Sequence, residues 1–211
     1  MDPEQKQKPK LLIITGPQGS GNHLFAKIFS LHPHVEGWPM LRDEWQGHHL
    51  EPFAKYWDDP TQLKDKEWIK PYAITSISCP YFRDKEPHIP NYRSFINEAK
   101  KYCDVVIGII GRDRNILETQ QNRLRGGHTT PLALEQFAEL DKMAPTHYIS
   151  QELFFLYGAD YMNTLSKQLD FPVLCPSEVY RDYLKKDSNK AYIKPAEGKF
   201  DQEVKKACEE S

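Results

Sequence analysis

No apolar run in this chain approaches the roughly twenty residues that span a bilayer, and no block of like charges interrupts it. The first absence excludes a helical membrane span, and the second leaves room only for local basic sites. With 28 Lys and Arg against 30 Asp and Glu, the net charge is −2. No global field draws the protein to an anionic polymer or a lipid surface. Cysteine is scarce. Cys79, Cys103, Cys175 and Cys208 stand without C-x-x-C spacing, which excludes a zinc ribbon or a disulfide scaffold and reads as free thiols of a reducing compartment. The first eight residues are polar and carry no signal-peptide core, so the expectation is a cytoplasmic protein. Neither internal repeats nor low-complexity segments are present.

What is there is a chain with 39% hydrophobic and 27% charged residues, enough apolar side chain for one domain-sized core. The expected organisation is a flexible segment over 1–10, a folded domain over 11–185 and a polar tail over 186–211. Four short apolar runs, 11–15, 73–79, 105–110 and 172–175, read as strands buried on both faces. Helical patterns separate them, the signature of a parallel sheet. Helices are expected from Asn22 to just before Pro33, over 91–102, over 115–124 and from Thr130, with Pro131 at its first position, to about Met143. Further helices are expected over 149–169 and 178–185. The span 35–71, rich in Trp, His and Pro, holds one or two short helices.

The chemistry concentrates after the first strand, in Gly16-Pro17-Gln18-Gly19-Ser20-Gly21-Asn22-His23. A strand, a glycine-rich turn and a helix start form a cradle in which backbone N–H groups hold a phosphate. Gly16-x-x-x-x-Gly21 fits the spacing of a triphosphate-binding loop. Asn22 and His23, however, replace the Lys that would reach the β/γ-phosphates and the hydroxyl that would hold Mg²⁺. The expected fold is a three-layer α/β/α domain with a small parallel sheet, like that of P-loop nucleoside-triphosphate hydrolases. A second constellation, Gly111-Arg112-Asp113-Arg114-Asn115, puts Arg112 just past the third strand, at the sheet edge where ligands bind. There it can clamp a phosphate in a bidentate fork. Thr119, Gln120 and Arg123 follow one or two turns later.

These pieces, in this order, resemble the sulfotransferases that use 3′-phosphoadenosine-5′-phosphosulfate (PAPS). Ser20-Gly21-Asn22-His23 falls where that family has Ser-Gly-Thr-Thr, and Ser30-Leu31-His32-Pro33-His34-Val35 is similar to its His-Pro-x-Val helix end. Arg112-Asp113-Arg114-Asn115 matches its strand-end arginine motif in part, with Gln120 at the place of its serine. Residues 173–180 resemble its late Tyr-Glu-Asp-Leu element. The resemblance spans about residues 11–184. It implies sulfuryl transfer from PAPS to a hydroxyl or amine of a small-molecule or glycan acceptor, with no nucleic acid, membrane or metal involved. It also implies that Gln18, Gly19, Ser20, Gly21, Asn22 and His23 hold the 5′-phosphosulfate, and that Arg112 and Gln120 hold the 3′-phosphate. Two positions depart from the family. Gly19 stands where it has a cation, a charge that Lys194 or Lys199 could supply from elsewhere, and Ser78 stands where its cytosolic branch has a basic His.

The proton acceptor is then expected in the segment after the first helix, where other branches place a carboxylate. Glu44, His48 and His49 are the candidates of suitable type. His32 and His34, with His48, His49, Asp43 and Glu44, could also make a mixed N/O metal site. Trp38, Trp45, Tyr56, Trp57 and Trp68 line an acceptor pocket or fill core under a long loop. Two other functions fit the same fold: a nucleotide or nucleoside kinase with a degenerate loop, and a non-catalytic nucleotide-binding protein. Acceptor identity and oligomeric state are not written in the sequence.

Overall fold

The computed structural model describes residues 8–38, 51–83, 86–125, 127, 129–175, 181–182 and 206. Among them the sequence builds a five-stranded parallel sheet flanked by helices. Strand β1 (Lys10–Pro17) is central. Leu11 to Ile14 are apolar at every step because both faces are covered. Leu11 and Ile13 face one core, and Leu12 and Ile14 face the other. Strand β3 (Tyr72–Cys79) lies on one side of β1, paired from Lys10↔Tyr72 to Pro17↔Cys79. Strand β6 (Asp104–Gly111) lies on the other, paired from Lys10↔Asp104 to Thr15↔Ile109. A two-residue strand β2 (Val35–Glu36) flanks β3, and β7 (Thr146–Ser150) flanks β6, giving the order β2-β3-β1-β6-β7.

Helix α1 (Asn22–Ser30) covers one face with Phe25, Ile28 and Phe29. It shares that face with α6 (Gln151–Tyr157) and α7 (Ala159–Leu169), whose Phe154 meets Phe25 edge-on at 5.3 Å. The opposite face is covered by α2 (Ala54–Asp58), a 3-10 turn (Pro60–Asp65), α3 (Tyr92–Ala99) and α5 (Thr130–Leu140). Helix α4 (Arg114–Arg125) follows β6 directly. A small antiparallel hairpin, β4 (Tyr81–Arg83) with β5 (Glu86–His88), extends from the end of β3. No helix of the described residues is long and apolar enough to cross a membrane.

Three expectations need correction. The run 172–175 joins no ladder; Pro172 has no N–H to give one. The sheet position beside β6 goes instead to β7, whose single buried residue is Ile149, a one-sided pattern that a search for continuous apolar runs passes over. The expected long helix over 149–169 is two helices broken at Gly158 (φ 54, ψ −119), after the strand has already claimed Ile149 and Ser150. Helix α5 is preceded by Thr129 at its N-cap, with Thr130 its first residue and Pro131 its second. The calls on 1–7, on most of the tail 186–211 and on most of 178–185 lie outside the described residues.

Candidate functional site

The connection leaving β1 runs to β2 and β3 on one side, and the connection leaving β6 runs to β7 on the other. The carboxyl ends of β1 and β6 therefore flank a topological switch point, where open parallel sheets form a ligand crevice. The glycine loop emerges from one of these two strands and Arg112 from the other.

The loop is a tight turn, with Ser20 N donating to Pro17 O at 3.1 Å. Gly19 (φ 88) and Gly21 (φ 97) both take left-handed backbone, which glycine adopts without cost. Gly21 is the N-cap of α1, and no side chain caps the helix there. The first-turn N–H groups of a helix have no intrahelical partner, and the axial dipole favours an anion in front of them. The loop side chains point inward. Ser20, fully buried, donates to Asn22 Oδ1 at 3.0 Å. Asn22 Nδ2 donates to Gly16 O at 3.2 Å and to Ser78 Oγ at 3.1 Å. What Asn22 offers a ligand is backbone N–H, since Ser20 N–H closes the turn on Pro17 O; their side chains tie the loop to β1 and β3.

Arg112 Nη1 donates to Gly19 O at 2.6 Å and to Gln120 Oε1 at 2.5 Å. This closes the crevice across 93 residues of sequence and brings a permanent charge to a loop that has none of its own. The loop is also backed by amides. Gln120 lies against Gly19, where a Cβ would come within 3.0 Å of its Oε1, and Gln151 lies against Gly21 at 3.2 Å. Gln121 Nε2 donates to Gln18 O at 2.8 Å. Two buried amide oxygens at the loop, Gln18 Oε1 and Gln151 Oε1, meet no donor among the described residues. Asp113 accepts from Ile116 N at 3.0 Å and so starts α4 where Gln120 and Gln121 reach the loop.

Beside the loop, His23 Nδ1 lies 2.9 Å from Ser76 Oγ and its ring meets Trp38 edge-on at 5.3 Å. Lys27, one turn further along α1, sets its ammonium over Trp38 at 5.1 Å. Strand β2 pairs with β3 only at Tyr72 and Ala73. Beyond them the carboxylate of Glu51 takes over the open edge. Oε1 accepts from Ser76 N at 3.0 Å, Oε2 accepts from Phe53 N at 2.8 Å, and the Thr75 hydroxyl also bonds the carboxylate. Glu51 is 3% exposed. Burial pushes its carboxyl up to about 8, against the downward pull of these three hydrogen bonds.

The structure thus brings Gln18, Gly19, Ser20, Gly21, Asn22, His23, Arg112 and Gln120 to one loop. Glu44, His48 and His49, the expected proton acceptors, lie outside the described residues, as do Lys194 and Lys199. Of the aromatic set, Tyr56 and Trp57 belong to the core: Trp57 stacks on Phe95 at 3.8 Å and donates to Thr75 Oγ1 at 2.9 Å. Trp68 packs against the same core, Trp38 sits by His23, and Trp45 is outside the described residues. Among the described residues no group of three or more His, Cys, Asp and Glu is gathered around a metal-sized point. His32 and His34 contact each other, with His34 N donating to His32 Nδ1. Burial pushes the Cys79 and Cys103 thiols up to about 11 and about 12, which keeps them protonated at neutral pH.

Gln121, Gln151 and Glu51 were not singled out from sequence. Gln121 had a readable signal: it stands one helical turn after buried Leu117, at a position where the helix period asks for an apolar residue. Glu51 and Gln151 had none, because their partners come from β3 and the glycine loop.

No protein-family model matches the chain, and no curated protein matches it in sequence. Among solved structures, the chain is similar to mouse sulfotransferase SULT7A1, crystallised in complex with PAP. The identity is 13% and the TM-score 0.44, over 85% of this chain. The chain spans 64% of the length of that sulfotransferase.

Proposed function

We propose that this protein transfers a sulfuryl group from PAPS to a hydroxyl or amine acceptor. The observation that carries the reading is Arg112 on the glycine loop, 2.6 Å from Gly19 O. A helix N-terminus and one arginine make an anion site suited to a phosphosulfate, on a loop whose sequence lacks the lysine and hydroxyl of a triphosphate site. In this reading the N–H groups of the 19–23 turn other than that of Ser20 cradle the 5′-phosphosulfate, and Arg112 with Gln120 binds the 3′-phosphate of the donor. The acceptor oxygen or nitrogen forms a new bond to sulfur as the bond from sulfur to the 5′-phosphate oxygen breaks. The acceptor's proton passes to a base, for which Glu44, His48 and His49 are the candidates. The adenosine 3′,5′-bisphosphate (PAP) left behind keeps the negative charge that the loop and Arg112 stabilise, so rate enhancement comes from positioning and charge.

A kinase reading is disfavoured by Asn22, whose amide is committed to Gly16 O and Ser78. The test is thermal unfolding with PAP, with ATP plus Mg²⁺, and without ligand. A ligand specific to the folded state stabilises by about 2.7 kcal/mol at a hundred times its Kd. A shift with PAP alone supports the reading, which a shift confined to Mg-ATP would overturn in favour of a kinase. PAP binding without turnover across hydroxyl and amine acceptors would leave a binding protein.

A further inference from the structure

We propose that Gln121 is the positioning residue that holds the glycine loop in its anion-binding form, and that it ties this form to the start of α5. The proposal rests on the reading of the loop as an anion site. In a trans peptide the C=O and the following N–H point in opposite directions, so whatever grips a carbonyl also aims the next N–H. Gln121 Nε2 grips Gln18 O at 2.8 Å, and Arg112 grips Gly19 O at 2.6 Å. Both grips come from the β6–α4 side. They turn the peptide planes of a segment that contains two left-handed glycines and would otherwise sample many conformations.

Of the two, Gln121 is the dedicated device. It is 2% exposed, and its other end is also occupied, Oε1 accepting from Thr129 N at 2.9 Å and from Thr130 Oγ1 at 3.3 Å. One neutral amide therefore joins the glycine loop to the N-cap of α5, an element more than a hundred residues away in sequence. A glutamine is the side chain for this, since it donates to one partner and accepts from the other. Being uncharged, it acts on an anion only through geometry, so its effect is separable from that of Arg112 by salt.

The experiment compares the full-length wild type with Gln121→Glu, Gln121→Met and Thr130→Val. Amide hydrogen exchange is read over residues 16–23, and PAP affinity is measured at low and high salt. Gln121→Glu keeps the acceptor for α5 and loses the donor for the loop. Gln121→Met keeps the shape and loses both, and serves if the buried carboxylate prevents folding. Thr130→Val trims the α5 end and spares the loop bond. The expected result is faster exchange over 16–23 in both Gln121 variants, with PAP affinity lowered about tenfold or more, by a factor that salt does not change in the uncharged Gln121→Met. Thr130→Val is expected to stay within about threefold of wild type. Wild-type exchange over 16–23 in the Gln121 variants, or wild-type PAP affinity, overturns the proposal. If the wild type itself does not bind PAP, the anion reading falls on its own, and the exchange comparison still decides whether Gln121 holds the loop.

Discussion

Arg112 is the residue on which the ligand chemistry turns. Replacing it with Ala is expected to weaken PAP binding at least tenfold, about 1.4 kcal/mol, as measured by calorimetry. Arg112→Lys should recover only part of the loss, because an ammonium restores charge without the planar pair of nitrogens that meets a phosphate in two parallel bonds. Unchanged affinity in Arg112→Ala would remove it from the site. Glu51 makes a prediction in pH. Its folded carboxyl holds its proton up to about 8, whereas in the unfolded chain it loses it near the ordinary carboxyl value of 4.5. Between these limits the folded state binds more protons, so stability falls as pH rises. The Glu51 contribution is full below about 4.5 and lost above about 8. Urea unfolding at intervals across this window checks it. Glu51→Gln should be less stable at the acid end, because an amide presents only one acceptor to Ser76 N and Phe53 N, and should lose that part of the pH slope. Matching slopes in variant and wild type would refute the assignment.

At the level of elements, the break between α6 and α7 rests on Gly158, whose φ of 54 with ψ of −119 is closed to residues carrying a Cβ. Gly158→Ala is expected to cost about 1–3 kcal/mol, lowering Tm by several degrees in a domain of this size. An unchanged Tm would mean that the two helices can run on as one. The same break shows why the sequence was legible only in part. Strands β1, β3 and β6 announce themselves because they are buried on both faces and carry runs of apolar or small side chains. β7 hides because only Ile149 faces the core, and its Ser150 serves as the N-cap of the following helix, donating nothing to an apolar pattern. The glycine loop and Arg112 were readable as local motifs. Their meeting across the crevice was not, since it depends on β1 and β6 being neighbours, which no local pattern states. Glu51 and Gln151 stayed hidden for the same reason: each meets residues far off in the chain.

For the molecule as a whole, stability should follow the distance from β1. Ile13 is fully buried between two parallel neighbours, and Ile13→Ala is expected to cost about 2–5 kcal/mol. Tyr148, on β7 and 68% exposed, should change stability by no more than about 0.5 kcal/mol as Ala. Denaturant midpoints compare the two, and a similar loss at both positions would contradict a core centred on β1.

The inward wiring of the glycine loop also has an evolutionary consequence. A lysine at position 22 would break the ties to Gly16 and Ser78, and a serine at 23 is too short to keep the 2.9 Å contact to Ser76. Each single step toward a triphosphate loop damages the fold before it gains a ligand. The two loop chemistries are thus separated by a valley that only concerted changes in the loop and β3 can cross, and a lineage that has settled on this arrangement stays there.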